Sequence, residues 1–238
     1  MGMPTIVAVG TVGTATTGAC VPGLPAGWVA DHIHLLFVEA ANEPLNTITG
    51  FTRIGSTAVV QSTGLVTDLS AFWRRAVAGD TAPSITSSPQ NHLIARIIGV
   101  SGAVTAGSPI SIFTTGLDNT TGTTFSIPGA TTTAANCLIF AALSTGTDAN
   151  STTMATGWTN ANLTSITEDI DNWTTSGNGG GIAVAHGGKV APGAYGTMTG
   201  SITTGNTKAF LSFAVRGVGP EGDAFSYVAG MRGNGPLY

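Results

Sequence analysis

Charge is what this chain most lacks. Asp, Glu, Lys and Arg make up 8% of its 238 residues, where a soluble domain ordinarily carries about 25%. Eight Lys and Arg stand against 12 Asp and Glu, for a formal net charge of −4. With a pI near 5.4 and no basic patch, the electrostatic footprint of a nucleic-acid binder is absent. Cysteine is nearly absent too. Cys20 and Cys137 cannot build a disulfide framework; two buried thiols are expected, a single bridge being the alternative. No run approaches the ~20 apolar residues of a membrane-spanning helix. The opening MGMPTIVAVGTVGTATTG lacks the basic n-region of a secretory signal. Ile6 stands where a myristoylation signal following Gly2 needs Ser or Thr. The expectation is a protein made in a cytoplasm without a cleaved leader. Catalytic signatures are missing as well: there is no G-x-S-x-G elbow, no H-E-x-x-H and no P-loop. Asn119, Asn150, Asn162 and Asn172 each begin an N-x-[ST] triplet, but Asn- and Thr-rich composition produces such triplets by itself.

What the chain has in excess is glycine, at 34 residues, and threonine. Threonine is β-branched and favours strands; glycine favours turns and bulges. Strand patterns recur in TIVAVGTV (5–12), HIHLLFVEA (32–40), AFWRRAVAG (71–79), HLIARIIGV (92–100), NCLIFAALS (136–144), GIAVAHG (181–187) and KAFLSFAVRGV (208–218). In the second of these, Ile33, Leu35 and Phe37 fall on one face and His34, Leu36 and Val38 on the other. A strand apolar on both faces is central or covered. The segments AGDTAPS, SSPQN, DNTTG, SGNGGG and VAPGAYG read as turns between strands. GLVTDLSAFWRRAV can be drawn as a helix, but Phe72 and Trp73 ahead of a Gly-Asp turn favour a strand.

The chain also resembles itself. HLLFVEA aligns with CLIFAAL at an offset of 103 residues, TGFTR with TGWTN at 107, RAVAGDTAPS with VAHGGKVAPG at 109, and HLIARIIGV with FLSFAVRGV at 118. Four blocks in one order, with slowly growing offsets, mark a repeated supersecondary unit. A unit of four or five strands with an apolar face does not stand alone, whereas two can pack face to face. The expected fold is all-β: an antiparallel β-sandwich, jelly-roll or lectin-like, forming one domain over 1–218. Its repeated halves fall at about 28–105 and 127–218. Two adjacent small sandwiches are the alternative. Gly50 and Gly157 would turn the backbone where a Cβ would clash, letting Phe51 and Trp158 plug the end of the core. Residues 219–238 form a C-terminal arm. Its Phe225, Tyr227, Val228, Met231, Leu237 and Tyr238 are apolar anchors for docking on its own domain or a neighbouring subunit.

Candidate chemistry is sparse. His32 and His34 would share a strand face near Asp31 and Glu39, but a metal site needs three or four converging ligands. The acidic run Glu168–Asp171 lacks EF-hand spacing and reads as a solvated loop. No metal, cofactor or catalytic residue is assigned. Arg74 and Arg75 lie on opposite strand faces, and one is expected to salt-bridge across a subunit contact.

Several segments together resemble a β-sandwich family of tailed-bacteriophage virion proteins. These are PAGWVADHIHLLFV (25–38), the GF-T and GW-T corners, FWRRAVAGDTAP (72–83), ARIIGV (95–100), IPGATTTAANCLIFAA (127–142) and AVRGV (214–218). The resemblance covers most of 5–218 and implies head-decoration, fibre or minor tail proteins, with no catalytic residues to carry over. The leading expectation is a non-enzymatic capsid decoration or cement protein on the virion surface, made in the host cytoplasm. Its partners would be the major capsid protein and copies of itself, a trimer being the expected order, with neither nucleic acid nor membrane. The candidate interface is Thr5, Ile6, Val7, Arg74, Arg75, Phe225, Tyr227, Met231, Leu237 and Tyr238. The alternative is a tail or fibre component binding host-surface carbohydrate, with Trp158, Trp173 and Tyr195 as stacking residues. A third reading, a glycoside-active enzyme, needs a carboxylate pair from Glu39, Glu43, Glu168, Asp169 and Asp171.

Overall fold

The two halves of the chain build two separate sheets, one from residues 5–101 and the other from residues 110–216. They are seen in a computed structural model that describes residues 2–41, 45–88 and 90–218. The first sheet holds β1 (Thr5–Val9), β2 (Gly13–Ala15), β3 (Ile33–Ala40), β4 (Thr52–Arg53), β5 (Val59–Gln61), β6 (Thr67–Arg75) and β7 (Leu93–Ser101). Its centre is β3, with β7 on one side and β6 on the other; β1 and β2 extend it beyond β7, and β4 and β5 beyond β6. The second half contributes β8 (Ile110–Ile127), β9 (Thr131–Thr132), β10 (Cys137–Thr145), β11 (Ala155–Thr159), β12 (Thr164–Thr174), β13 (Gly180–Lys189), β14 (Gly193–Ala194) and β15 (Met198–Arg216). Here β10 is central between β15 and β13, with β12 beyond β13, and β8 and β11 both pairing with β15; β9 and β14 form a separate ribbon. Pairing is antiparallel throughout both sheets.

The period of two along each central strand decides which side chains meet. Ile33, Leu35 and Phe37 of β3 face Leu138, Phe140 and Ala142 of β10 across the sandwich, with Leu211, Phe213 and Val215 of β15 beside them. Phe140 and Phe213 stack with centroids 5.4 Å apart, and Phe37 lies 5.9 Å from Phe213. The alternate residues are buried as well. Leu36, Val38 and Phe72 lie under a cover that includes Cys20, Leu45, Ile48 and Ile85. Ile139, Ala141 and Leu143 lie under Phe125, Met154, Tyr195 and Met198. The sandwich therefore has an inner core and an outer core on each face. Both cysteines end in outer cores, buried and free. Burial pushes the Cys20 thiol up to about 12 and raises that of Cys137, which makes both inert.

Polar ties hold the sheets in register. Arg96 of β7 donates to Asn172 of β12 at 2.7 Å, and Thr67 of β6 meets Ser144 of β10 at 2.9 Å. Lys208, fully buried, reaches Asp118 at 3.0 Å. With so few charges available, hydroxyls and amides do most of this joining.

Two segments depart from expectation. DNTTG (118–122), read as a turn, runs inside β8. Its Thr residues are good strand formers, and β15 pairs with it at Asp118 and Gly122, with register shifts between Ser201 and Asn206 and between Asn206 and Lys208. The acidic run Glu168–Asp171, read as a solvated loop, lies inside β12 and pairs with β13.

Two of the four self-similar blocks fall on corresponding strands of the two sheets. The first block is the central strand in each sheet (β3, β10) and the fourth a neighbouring strand (β7, β15), whereas the third lies largely in β13 in the second half but, in the first, follows β6 except for Arg75. The corner blocks diverge: β4 pairs with β6, whereas β11 pairs with β15. Gly50 and Gly157 both take left-handed backbone, with φ of 78° and 67°. A Cβ at either would meet nothing within 4 Å, so the requirement is the dihedral and not a close approach. Phe51 and Trp158 pack on the outer cores instead of plugging the end of the inner one. Gly50→Ala is accordingly expected to cost on the order of 1–2 kcal/mol, and Gly50→Asn distinctly less. Denaturant midpoints of the two variants check this.

Candidate interaction surface

The candidate interface residues separate into three groups. Thr5 is exposed, and Ile6 and Val7 are half-buried, on β1. Among the described residues β1 pairs only with β7, which leaves its other edge open there. Its sequence, TIVAV, contains no charge. Beside it is a cleft of about 220 Å³ lined by Met3, Pro4, Thr5, Ile6, Leu138 and His186, among others. Arg74 and Arg75 are committed within the chain. Arg74 Nε lies 3.4 Å from Asp80 Oδ2, and its guanidinium sits 4.6 Å over the Phe51 ring. Arg75 donates to the carbonyls of Gly107 and Asp31. Arg74 thus has an internal ion pair, because the turn at 77–80 returns Asp80 to it. Phe225, Tyr227, Met231, Leu237 and Tyr238 lie outside the described residues, as does Glu43.

Trp173 and Tyr195 do not serve as stacking faces. Both are buried in the outer core of the second sheet. Trp173 Nε1 donates to Thr145 Oγ1 at 3.2 Å, and Tyr195 Oη lies 3.0 Å from Ser212 Oγ. Each aromatic fills a core and satisfies its polar tip there. Only Trp158 of the three is partly accessible. It packs on Phe125 at 4.6 Å and donates to Glu168 Oε2 at 2.6 Å.

The carboxylates are structural in geometry. Burial pushes Glu168 up to about 7, with the charges of Asp171 and Asp169 adding to it and the Trp158 N–H opposing. Burial also raises Asp171, whose Oδ2 accepts from Ala155 N at 2.8 Å. Asp169 lies 2.7 Å from His186 Nδ1. His34 is buried, accepts from Arg74 Nε at 3.4 Å and stands edge-on to Trp28 at 5.3 Å. Burial, then the Arg74 charge, holds it down at about 4. His32 instead accepts from Val29 N. Among the described residues no three His, Cys, Asp or Glu converge as for a metal ion.

Two features escape sequence reading. Glu39, on an otherwise apolar strand, is fully buried with Oε2 2.8 Å from His92 Nε2. His92 Nδ1 lies 2.7 Å from the Ser176 carbonyl, to which it can only donate, so the ring links Glu39 of the first half to the loop between β12 and β13 in the second. Thr67 Oγ1 donates to Glu39 Oε1 at 3.0 Å. Burial pushes the carboxyl up to about 7 against these hydrogen bonds. A Glu inside a Leu/Phe/Val run was the available signal.

The second feature is a groove where the β4–β5 edge of one sheet approaches β8 of the other. It comprises adjoining clefts of about 400 and 230 Å³ that share Phe113. Phe113 is 42% exposed, Leu117 49% and Val60 39%. Gln61 crosses one end, donating to the Asp118 carbonyl and Asn119 Oδ1 at 3.0 Å each. No family model, curated protein or solved structure matches this chain.

Proposed function

We propose that this chain is a non-enzymatic structural subunit of a tailed-bacteriophage virion, decorating the head by binding the major capsid protein and copies of itself. The observation that carries the reading is the uncharged open edge of β1, with half-buried Ile6 and Val7 beside a cleft. Soluble monomers normally blunt such edges with charge, bulges or cover, and of these β1 has a register shift between Ile6 and Ala8 but no charge. A surface drawn from a chain with 8% charged residues adds little to oppose association. Strand addition at β1, with uncharged surface buried around it, would clamp neighbouring capsid subunits. The internal hydroxyl and amide ties between sheets suit a rigid brace.

Purified protein mixed with undecorated capsids is expected to sediment with them. Val7→Lys, which places a charge on the β1 edge, is expected to weaken this about tenfold or more. Absence of co-sedimentation by the unaltered protein would count against the reading. The tail or fibre alternative now rests on Trp158 alone, and a glycan array with no signal removes it.

A further inference from the structure

We infer that the turn between β12 and β13, residues 175–179, is a pH-released clasp that fastens the second half of the chain onto the first through one proton held between Glu39 and His92. The turn is packed tightly on its seat. A Cβ at Gly177 would collide with the Asn91 carbonyl, and one at Gly180 with the Glu39 carboxyl group. Gly179 N closes the turn by donating to Ser176 O at 3.1 Å, and the same carbonyl faces His92 Nδ1 at 2.7 Å.

The hydrogen count at this seat requires a proton that pH can remove. Ser176 O only accepts, so His92 Nδ1 carries a hydrogen. A neutral imidazole has one, which leaves Nε2 a bare acceptor 2.8 Å from Glu39 Oε2. A carboxylate oxygen is an acceptor as well, and both residues are fully buried. The closed seat therefore needs a second proton in this gap, on the oxygen or on the nitrogen. Without it two lone pairs face each other away from water.

The surroundings make that proton removable near neutral pH. Burial pushes the Glu39 carboxyl up to about 7, with the Asp68 charge of β6 adding to it and His92 and Thr67 opposing. Asp148, beyond β10, lies against Gly179, and no Lys or Arg is among the groups acting on Glu39. Thr67 Oγ1 donates to Oε1 at 3.0 Å, and Ser144 Oγ of β10 lies 2.9 Å from Thr67 Oγ1, so the carboxyl group stays held when the proton leaves. The ring then has one hydrogen for two acceptors, and the carboxylate is the stronger of them. The hydrogen moves to Nε2, and Nδ1 turns a lone pair on the Ser176 carbonyl. The turn lifts while β12 and β13 stay paired.

Hydrogen exchange on the full-length protein tests this. The protection factor of the Gly179 amide is expected to fall about tenfold or more as pH rises from about 5.5 to about 8.5. In Glu39→Gln, whose amide N–H donates to His92 Nε2 at either pH, it should change by less than about twofold. Low urea should speed exchange in β10 and leave Gly179 nearly unaffected, the mark of a local opening. Equal pH dependence in the two proteins would overturn the proposal. So would Gly179 exchange that follows β10 in urea, because the turn would then open only with the whole molecule. If Glu39→Gln does not fold, the nitrogen-15 shifts of the His92 ring in the unaltered protein decide. They are expected to pass from Nδ1–H to Nε2–H over the interval in which Gly179 loses protection, and an unchanged ring would overturn the proposal.

Discussion

Replacing Phe140 with Ala is expected to cost about 3–5 kcal/mol of folding stability. Phe140 sits on the central strand of the second sheet, is fully buried, and contacts Phe213 at 5.4 Å and Phe37 at 6.2 Å. It thus joins the two sheets within the inner core. Truncation removes apolar area and leaves a cavity that strands locked by continuous pairing on both edges of β10 cannot close. Since whole domains are stable by only about 5–15 kcal/mol, this one side chain decides a large part of the total. Val190→Ala, at a site 58% exposed, should change stability by no more than about 0.5 kcal/mol. Urea midpoints with an unchanged slope would establish the difference; a Phe140→Ala midpoint close to that of the unaltered protein would contradict the inner-core assignment.

The second large effect is a dependence on pH carried by Glu39. Its carboxyl is raised to about 7 first by burial and then by the Asp68 charge, with His92 and Thr67 opposing through hydrogen bonds. A carboxyl raised in the folded state stabilises fully below its unfolded value of about 4.3, and that stability is lost as pH rises through about 7. His34 acts in the opposite sense. Held at about 4, below its ordinary value of about 6.5, it contributes stability above the ordinary value that is lost as pH falls toward 4. Glu39→Gln separates the two, because Gln keeps a polar partner for Thr67 and His92 but cannot ionise. Between pH 4.5 and pH 8 the stability of the unaltered protein should fall relative to that of Glu39→Gln by on the order of 2–3 kcal/mol. Denaturation midpoints across this range check it, and parallel curves for the two proteins would contradict it.

The central strands are legible because their pattern is intrinsic. In HIHLLFVEA the two apolar faces named from sequence are the inner and outer faces of β3. Phe72 and Trp73 do lie in a strand, β6. β8 and β12 are illegible for the complementary reason. Their Thr, Asn, Asp and Gly residues have no apolar period, and pairing with β15 and β13 makes them strands. Trp173 and Tyr195 look like surface aromatics beside polar neighbours. Their burial depends on how segments return over the outer face of the second sheet, which no local window contains. The same limit hides the Glu39–His92 pair, whose partners stand on β3 and just before β7 and whose third contact, Ser176, comes from the other half of the chain. The first and fourth self-similar blocks fall on corresponding strands of the two sheets, but the third does not, and the corner strands β4 and β11 depart to different neighbours.

The most direct test of the proposed role is immunogold labelling of the intact virion that carries this chain, with an antibody raised against it. Gold distributed over the head is the predicted result, and it would direct mutagenesis to the β1 edge. Gold confined to the tail, or no gold on the particle, would contradict capsid decoration.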